Sequence, residues 1–297
     1  MRKKILITGA SGMLGSCLEI ELAGKFDVFA TGGTDLAGKT PENYLRFDLR
    51  EASYQPLIEW ADPDVIIHCA ALTNGKYCND HPEEAFLING ISVWKLIEST
   101  TQKVKLIYIS TDAVFPASTH FASENDPVAP ESVYGKSKEL GEFFLLNSHR
   151  DCTIIRTTIV GLNLNPARQG FAEWMVESAK NDREIQLFDD VLFTPISTWD
   201  LATAIEDLLA STTGERVWHI AGSEICSKYA FGVALLKALK LPLTSVARGQ
   251  ITNFKDRVKR STDQSLSSDK YQGVFKRKLP DISSTIATLT KKIAGHE

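Results

Sequence analysis

The chain has 297 residues, 43% hydrophobic and 24% charged, enough to bury one large core or two modest ones. A formal net charge of −4 gives no reason to expect nucleic acid or an anionic membrane as partner. No stretch approaches membrane-span length, and the apolar run Ile5-Leu6-Ile7 behind the basic start stops at Thr8-Gly9, too short for a secretory core.

In chain order, KILIT (4–8) reads as a strand and MLGSCLEIELAG (13–24) as a helix. FDVFAT (26–31) and YLRFDL (44–49) are further strands, with a helix near 51–60 before the strand DVIIHCAA (64–71). PEEAFLINGISVWKLIEST (82–100) is a long amphipathic helix with proline in its first turn. VKLIYIST (104–111) is a strand, 134–148 a helix and CTIIRTTIV (152–160) a buried strand. Continuous apolar strands alternating with helices specify an α/β fold, a doubly wound parallel sheet of Rossmann type. Beyond it the pattern is less regular, with helices near 170–181, 198–210, 227–240 and 281–293 and strands at 185–188 and 216–220. The Lys- and Arg-rich stretch 248–278 reads as a solvated face.

The cysteines, Cys17, Cys69, Cys78, Cys152 and Cys226, are scattered, odd in number and form no CxxC. Free thiols in a reducing cytoplasm fit that pattern; a disulfide framework or zinc site does not.

ITGASGMLG sets Gly9, Gly12 and Gly15 between the first strand and the first helix. A plain turn needs one glycine. Three at this spacing suit a dinucleotide: Gly9 for the tight turn, Gly12 for approach of a pyrophosphate, Gly15 for packing of helix on sheet. Ser11, Met13 and Leu14 then offer backbone groups at the helix N-terminus. Asp48, followed by Leu49, is placed to accept from an adenine amino group, and the small Ala70 and Ala71 leave room for the cofactor. His68 and Cys69 lie in the same buried strand and read as packing, not as a catalytic pair.

An NAD site places an acid at the end of the second strand. Here Gly32 or Gly33 stands there, Asp35 comes late, no Arg stands there to grip a phosphate, and only Lys39 could reach in. Room without repulsion, with Thr31 and Thr34 as donors, predicts NADPH with NADH also used, a preference of about 1–2 kcal/mol.

YGKSK places Tyr134 and Lys138 four residues apart, on one helix face. The spacing is common by chance on solvated helices. With the glycine loop and STD at 110–112, however, the chain resembles the extended short-chain dehydrogenase/reductase superfamily. Within it, STDAVF (110–115), DDVLFTPIST (189–198) and RSTDQSLSSDK (260–270) are most similar to the dTDP-4-dehydrorhamnose reductase family.

The resemblance implies NAD(P)H-dependent reduction of a nucleotide-linked 4-keto-6-deoxy sugar. Hydride comes from the nicotinamide and a proton from Tyr134, with Thr111 bonding the same oxygen. Lys138 would hold the nicotinamide ribose and lower the Tyr134 pKa. Moving a phenol from about 10 to about 7 takes about 4 kcal/mol, which one cation at about 4 Å supplies in an effective dielectric near 20. Thr73, Thr111, Val114, Phe115, Thr194 and Arg260 would face the substrate. Asn89 matches a family asparagine, either ordering water behind the lysine or bonding backbone; Trp174 reads as core.

Residues 1–160 would form the dinucleotide-binding domain, with 196–222 returning to it, and 161–297 mainly a smaller mixed α/β substrate-binding lobe. The expected partner is a nucleotide sugar in the cytoplasm, with neither nucleic acid nor membrane; a homodimer is left open. Lys76, Asn79, Ile159, Ser261 and Cys17 depart from the family pattern, so a keto-sugar reductase is better supported than rhamnose synthesis, and no metal is required. Two alternatives remain. A sugar-nucleotide epimerase or dehydratase with bound NAD would carry acids such as Asp-Glu beside Thr111, where this chain has only Asp112. A non-catalytic NADP-binding regulatory subunit, like that of methionine adenosyltransferase, shares the fold.

Overall fold

The computed structural model describes residues 2–36, 38–40, 42–163, 168–253 and 261–295. Its first half runs β1 (Lys4–Thr8), α1 (Met13–Leu22), β2 (Asp27–Gly32), β3 (Tyr44–Arg46), α2 (Gln55–Ala61) and β4 (Val65–His68). Next come α3 (Gly75–Asp80), α4 (Pro82–Phe86), α5 (Ser92–Ser99), β5 (Lys105–Thr111), α6 (Val133–Asn147) and β6 (Cys152–Thr157). A π-helical turn, Leu87–Ile91, joins α4 to α5 without a break.

The second half contains β7 (Ile159–Val160), α7 (Phe171–Lys180), β8 (Ile185–Phe188), β9 (Leu192–Phe193), β10 (Ile196–Ser197), α8 (Thr198–Ala210) and β11 (Val217–His219). It ends with β12 (Cys226–Ser227), α9 (Lys228–Ala238), β13 (Val246–Gly249), β14 (Asp263–Gln264), α10 (Asp269–Phe275) and α11 (Ile282–Ala294).

Seven strands form one parallel sheet in the order β11-β6-β5-β4-β1-β2-β3. Both faces are covered, which is why the strands are apolar without alternation. Ile5, Ile7 and Ile67 pack with Leu14 and Leu18 of α1 and Leu201 and Ile205 of α8. Leu6 and Ile66 pack on the other face with Leu57, Leu96 and Leu145. Burying each such side chain contributes about 1.5–3 kcal/mol. A second core gathers Met175, Ile185, Phe193, Phe231, Leu235 and Leu289. The chain direction across the main sheet reverses between β1 and β4, and ligands of such sheets bind at the strand ends there.

Four local expectations change. The third strand stops at Arg46, because Asp48 turns back to bind Arg50. Helix α3 was not anticipated; Asn74 caps it by accepting from Tyr77 N–H. Residues 265–268, inside the stretch read as solvated, are buried. Trp174 is 38% exposed and stacks on Phe171 instead of entering the core.

Candidate active site

Beyond β1 the chain turns at Gly9, whose φ of +72° suits glycine, and a Cβ there would lie 2.6 Å from the Ala70 backbone. The loop therefore rests directly on the small-residue end of β4. A Cβ at Gly15 would lie 2.3 Å from the Gly9 carbonyl oxygen. The third glycine thus seats the helix on its own loop, where packing on the sheet had been expected. At Gly12 a Cβ would meet only that same oxygen, at 3.2 Å. Gly12 is the N-cap of α1, with no side-chain cap and no acid in the first turn. The N–H groups of Met13 and Leu14 and the positive end of the dipole suit an anion. Leu14 can act only through its backbone, since its side chain is core, and Ser11 is buried beside Gly32.

Behind the loop runs a buried polar chain. Ala70 N–H donates to Thr8 Oγ1 (3.3 Å), which bonds His68 Nδ1 (2.7 Å). His68 Nε2 meets Ser92 Oγ (3.0 Å), whose own hydrogen goes to the Ile88 carbonyl (2.7 Å). Ser92 must therefore accept from Nε2–H, and Nδ1 accepts from Thr8. Burial and the Lys138 charge pull the His68 pKa down to about 3, so the ring is neutral. Burial pushes the Cys69 thiol up to about 12. Neither is poised for catalysis.

Asn89 is fully buried in the π-helical turn. Its Oδ1 accepts from Leu72 N–H (2.7 Å), and its Nδ2 donates to the Leu72 carbonyl (3.0 Å) and to Ser137 Oγ (2.9 Å). Ser137 in turn donates to the Tyr134 carbonyl (2.7 Å). Asn89 makes the bonds to the Leu72 backbone that one of its two readings expected. It ties the loop carrying Ala70, Ala71 and Thr73 to α6, and π turns of this kind recur at functional sites.

Ser132 caps α6 by accepting from Gly135 N–H (3.0 Å), which puts Tyr134 in the first turn. A Cβ at Gly135 would lie 2.2 Å from the Ala113 carbonyl oxygen, so the helix start presses on the end of β5. Thr111, Asp112, Phe115 and Tyr134 thereby line one cavity of about 160 Å³ with Thr73, closed by Ser261 and Gln264.

Lys138 is almost wholly buried, with Nζ 4.0 Å from the centroid of the Tyr108 ring. Burial lowers its pKa to about 7, against the pull of Glu142 and Cys69. The expected lowering of Tyr134 by Lys138 is not what the structure contains. Burial and the Asp112 charge push the phenol up, and the Thr111 hydroxyl pulls it down. Further along α6, Glu142 is held by the Arg156 guanidinium (2.6 and 3.0 Å) and by Ser110 (2.5 Å). Arg156 also lies 5.0 Å over the Phe115 ring. Removing one partner of such a buried pair costs about 3–5 kcal/mol.

Other candidates stand back from the cavity. Val114 is fully buried with Ala122, Ala221 and Leu266. Thr194 is fully buried, its hydroxyl accepting from Leu266 N–H (3.1 Å). Both support the wall and do not line it. Arg260 lies outside the described residues. Asp48 is gripped by Arg50, which lowers its pKa, and the Leu49 carbonyl accepts from Tyr54 (2.6 Å).

One residue was missed. Arg46 of β3 pairs in register with Gly32 and reaches Asp35 (3.3 Å), so an arginine does stand at the end of the second strand. Only the β2–β3 pairing brings it there. Lys39 is engaged with Glu19.

A glycine loop at the reversal point of a parallel sheet, beside a threonine and a tyrosine sharing one cavity, marks a class: the chain is an extended short-chain dehydrogenase/reductase. More narrowly, it belongs to the RmlD substrate binding domain family, which it matches over residues 2–294. Spore coat polysaccharide biosynthesis protein SpsK of Bacillus subtilis is 32% identical over 256 residues, 84% of this chain and 85% of its own. dTDP-4-dehydrorhamnose reductase of Sinorhizobium fredii is 26% identical over 293 residues, 94% of this chain and 93% of its own. The fold is that of dTDP-4-dehydrorhamnose reductase from Bacillus anthracis, solved in complex with NADP: TM-score 0.87, 24% identity, 98% of this chain and 100% of that one. Among the described residues no helix is long and apolar enough to cross a membrane.

Proposed function

We propose that this protein reduces a nucleotide-linked 4-keto-6-deoxy sugar with NADPH, and less well with NADH, as a dTDP-4-dehydrorhamnose reductase does. The observation that carries this is the meeting of Thr111 and Tyr134 in one cavity, on the sheet edge that also holds the uncapped start of α1. Relatives named for polysaccharide and dehydrorhamnose chemistry support the substrate class.

The residues present fit a dinucleotide. Gly12, Met13, Leu14 and Gly15 would hold the pyrophosphate through backbone N–H groups, where a larger residue at Gly9 or Gly15 would strike backbone. Asp48 would face the adenine, and Lys138, its Nζ over the Tyr108 ring, would donate to ribose hydroxyls. A bound nicotinamide supplies the hydride.

The chain's own groups hold and deliver the proton. The upward push on Tyr134 keeps its phenol protonated at neutral pH, as a donor requires. Thr111 directs the ketone oxygen to the phenol, and the Lys138 charge, brought near, would stabilise the phenolate left behind. In the same reading residues 1–160 with 196–222 bind the dinucleotide, most of 161–297 binds the sugar nucleotide, and the enzyme works in the cytoplasm.

The test is NADPH absorbance in the presence of dTDP-4-dehydrorhamnose. Stoichiometric consumption with conversion of the 4-keto group to a 4-hydroxyl is expected. Intact cofactor binding without consumption overturns the proposal, since neither an internal-redox epimerase or dehydratase nor a regulatory subunit uses up cofactor.

A further inference from the structure

A nucleotide-linked 4-keto-6-deoxy sugar has hydroxyls in only two places. C1 carries the nucleotide, C4 is the ketone, C5 closes the ring and C6 is a methyl, so C2 and C3 remain. A cavity that binds such a sugar must satisfy those two adjacent hydroxyls, each a donor and an acceptor. In the reading above Thr111 and Tyr134 take the ketone. Among the described residues, only Ser261 and Gln264 line the same cavity from the second half of the chain.

The two differ. Ser261 Oγ donates to the Asp263 carbonyl and accepts from Asp263 N–H (3.2 Å), so its hydroxyl is engaged within its own turn. The Gln264 amide is bonded to none of the described residues. Its backbone, by contrast, is pinned on both sides. Gln264 pairs in register with Phe193 of β9. One residue earlier, Asp263 Oδ1 accepts from Ser265 N–H (2.9 Å) and Ser265 Oγ (2.5 Å), and Oδ2 is bonded to His120 Nδ1. Beyond it, Leu266 N–H donates to Thr194 Oγ1 (3.1 Å), and Ala122 N–H donates to the Ser265 carbonyl (2.9 Å). Successive strand side chains point to opposite faces, so with Asp263 turned to His120, Gln264 turns to the cavity.

Resting on the reductase reading above, we infer that Gln264 is a specificity-determining residue whose side-chain amide takes the C2 and C3 hydroxyls of the sugar. The amide nitrogen donates to one hydroxyl and the amide oxygen accepts from the other, a match of adjacent donor and acceptor to adjacent hydroxyls. The C-terminal segment thereby selects the sugar, while the first half supplies the groups at the ketone.

The experiment compares kcat/KM for dTDP-4-dehydrorhamnose and its 2-deoxy analogue in wild type and Gln264→Leu. Leucine keeps much of the bulk and removes both polar atoms. Wild type should favour the sugar with the C2 hydroxyl by about tenfold, the effect of one hydrogen bond. Gln264→Leu should lose that preference through KM and not kcat, since these bonds are present before and during hydride transfer. Its NADPH affinity should be that of wild type, which a general disturbance of the fold would not spare. A wild type indifferent to the C2 hydroxyl, or a Gln264→Leu that keeps the preference, overturns the inference. If Gln264→Leu does not fold, Gln264→Asn, its amide one methylene short, replaces it with the same outcomes.

Failure of the reductase reading itself shows differently: wild type consumes no NADPH with either sugar. Calorimetry then decides. The ratio of dTDP-rhamnose affinity to dTDP affinity should fall about tenfold from wild type to Gln264→Leu. An unchanged ratio overturns the inference, as does a wild type that binds neither.

Discussion

The Lys138 ammonium lies over the Tyr108 ring, 4.0 Å from its centroid, and not against the Tyr134 phenol one turn earlier. Tyr108 is itself fixed, donating to the Asn89 carbonyl (2.7 Å) and the Lys138 carbonyl (3.2 Å). Burial holds the Tyr134 phenol above its usual range.

Tyr134→Phe removes the phenol proton and little else. kcat should fall by about 10²–10⁴-fold, the usual contribution of general acid catalysis, with NADPH affinity by calorimetry unchanged. Near wild-type turnover would exclude Tyr134 as the donor.

The glycines of the loop should separate into two kinds. Gly12 has φ −95° and ψ 169°, a conformation open to any residue, and its Cβ would meet one atom at 3.2 Å. Gly12→Ala should keep the wild-type Tm and lose dinucleotide affinity. Gly15→Ala places a methyl 2.3 Å from a backbone oxygen and should lower stability by about 1–3 kcal/mol. Equal Tm values for the two variants would count against this placement of the loop.

Arg46 lies in register with Gly32, and its charge would favour a 2′-phosphate there. Arg46→Ala should reduce the ratio of kcat/KM for NADPH over NADH by about tenfold, equivalent to about 1.4 kcal/mol. A wild-type enzyme strongly preferring NADH would mean that Asp35 serves the ribose instead.

Stability should decline early on acidification. His68 and His219 are buried and neutral, each with its pKa pulled from 6.5 to about 3, His219 by burial and the Arg156 charge. Depressed folded-state values mean that the unfolded chain binds the extra protons, so stability held above 6.5 is lost as pH falls toward 3. Two protons give a slope of up to about 2.7 kcal/mol per pH unit within that window. Lys138, drawn from 10.5 to about 7, acts one window higher with the same sign. Urea unfolding across both windows checks this, and His219→Asn should halve the acid slope.

Much of this was legible before any coordinates. Ile5, Ile7, Ile66 and Ile67 are buried on both sheet faces, so their strands carry no polar alternation and read plainly. The glycine triplet was readable because Gly9 and Gly15 have backbone where a Cβ would go. Arg46 was not, because strand register, not chain distance, places it. Residues 265–268 misled for another reason: their polar groups are buried but satisfied, as in Ala221 N–H to Ser268 Oγ (2.9 Å), and composition alone reads such a segment as wet. The YxxxK spacing placed two side chains on one helix face correctly, but where the long lysine chain ends is set by what it packs against.

The π-helical turn at Leu87–Ile91 has a consequence of phase. One residue beyond an α-helical turn advances the helix by about 100°. α4 and α5 are one rod with two settings, and the extra step lets Asn89 meet Leu72 and Ser137 while Ser92 meets His68. Deleting one residue there would leave a smoother helix. It would also rotate one half by about that angle against the other, so that either the tyrosine helix or the imidazole behind the glycine loop loses its partner. The irregular turn works as a clutch plate, keeping two surfaces that never touch each other at a fixed relative angle.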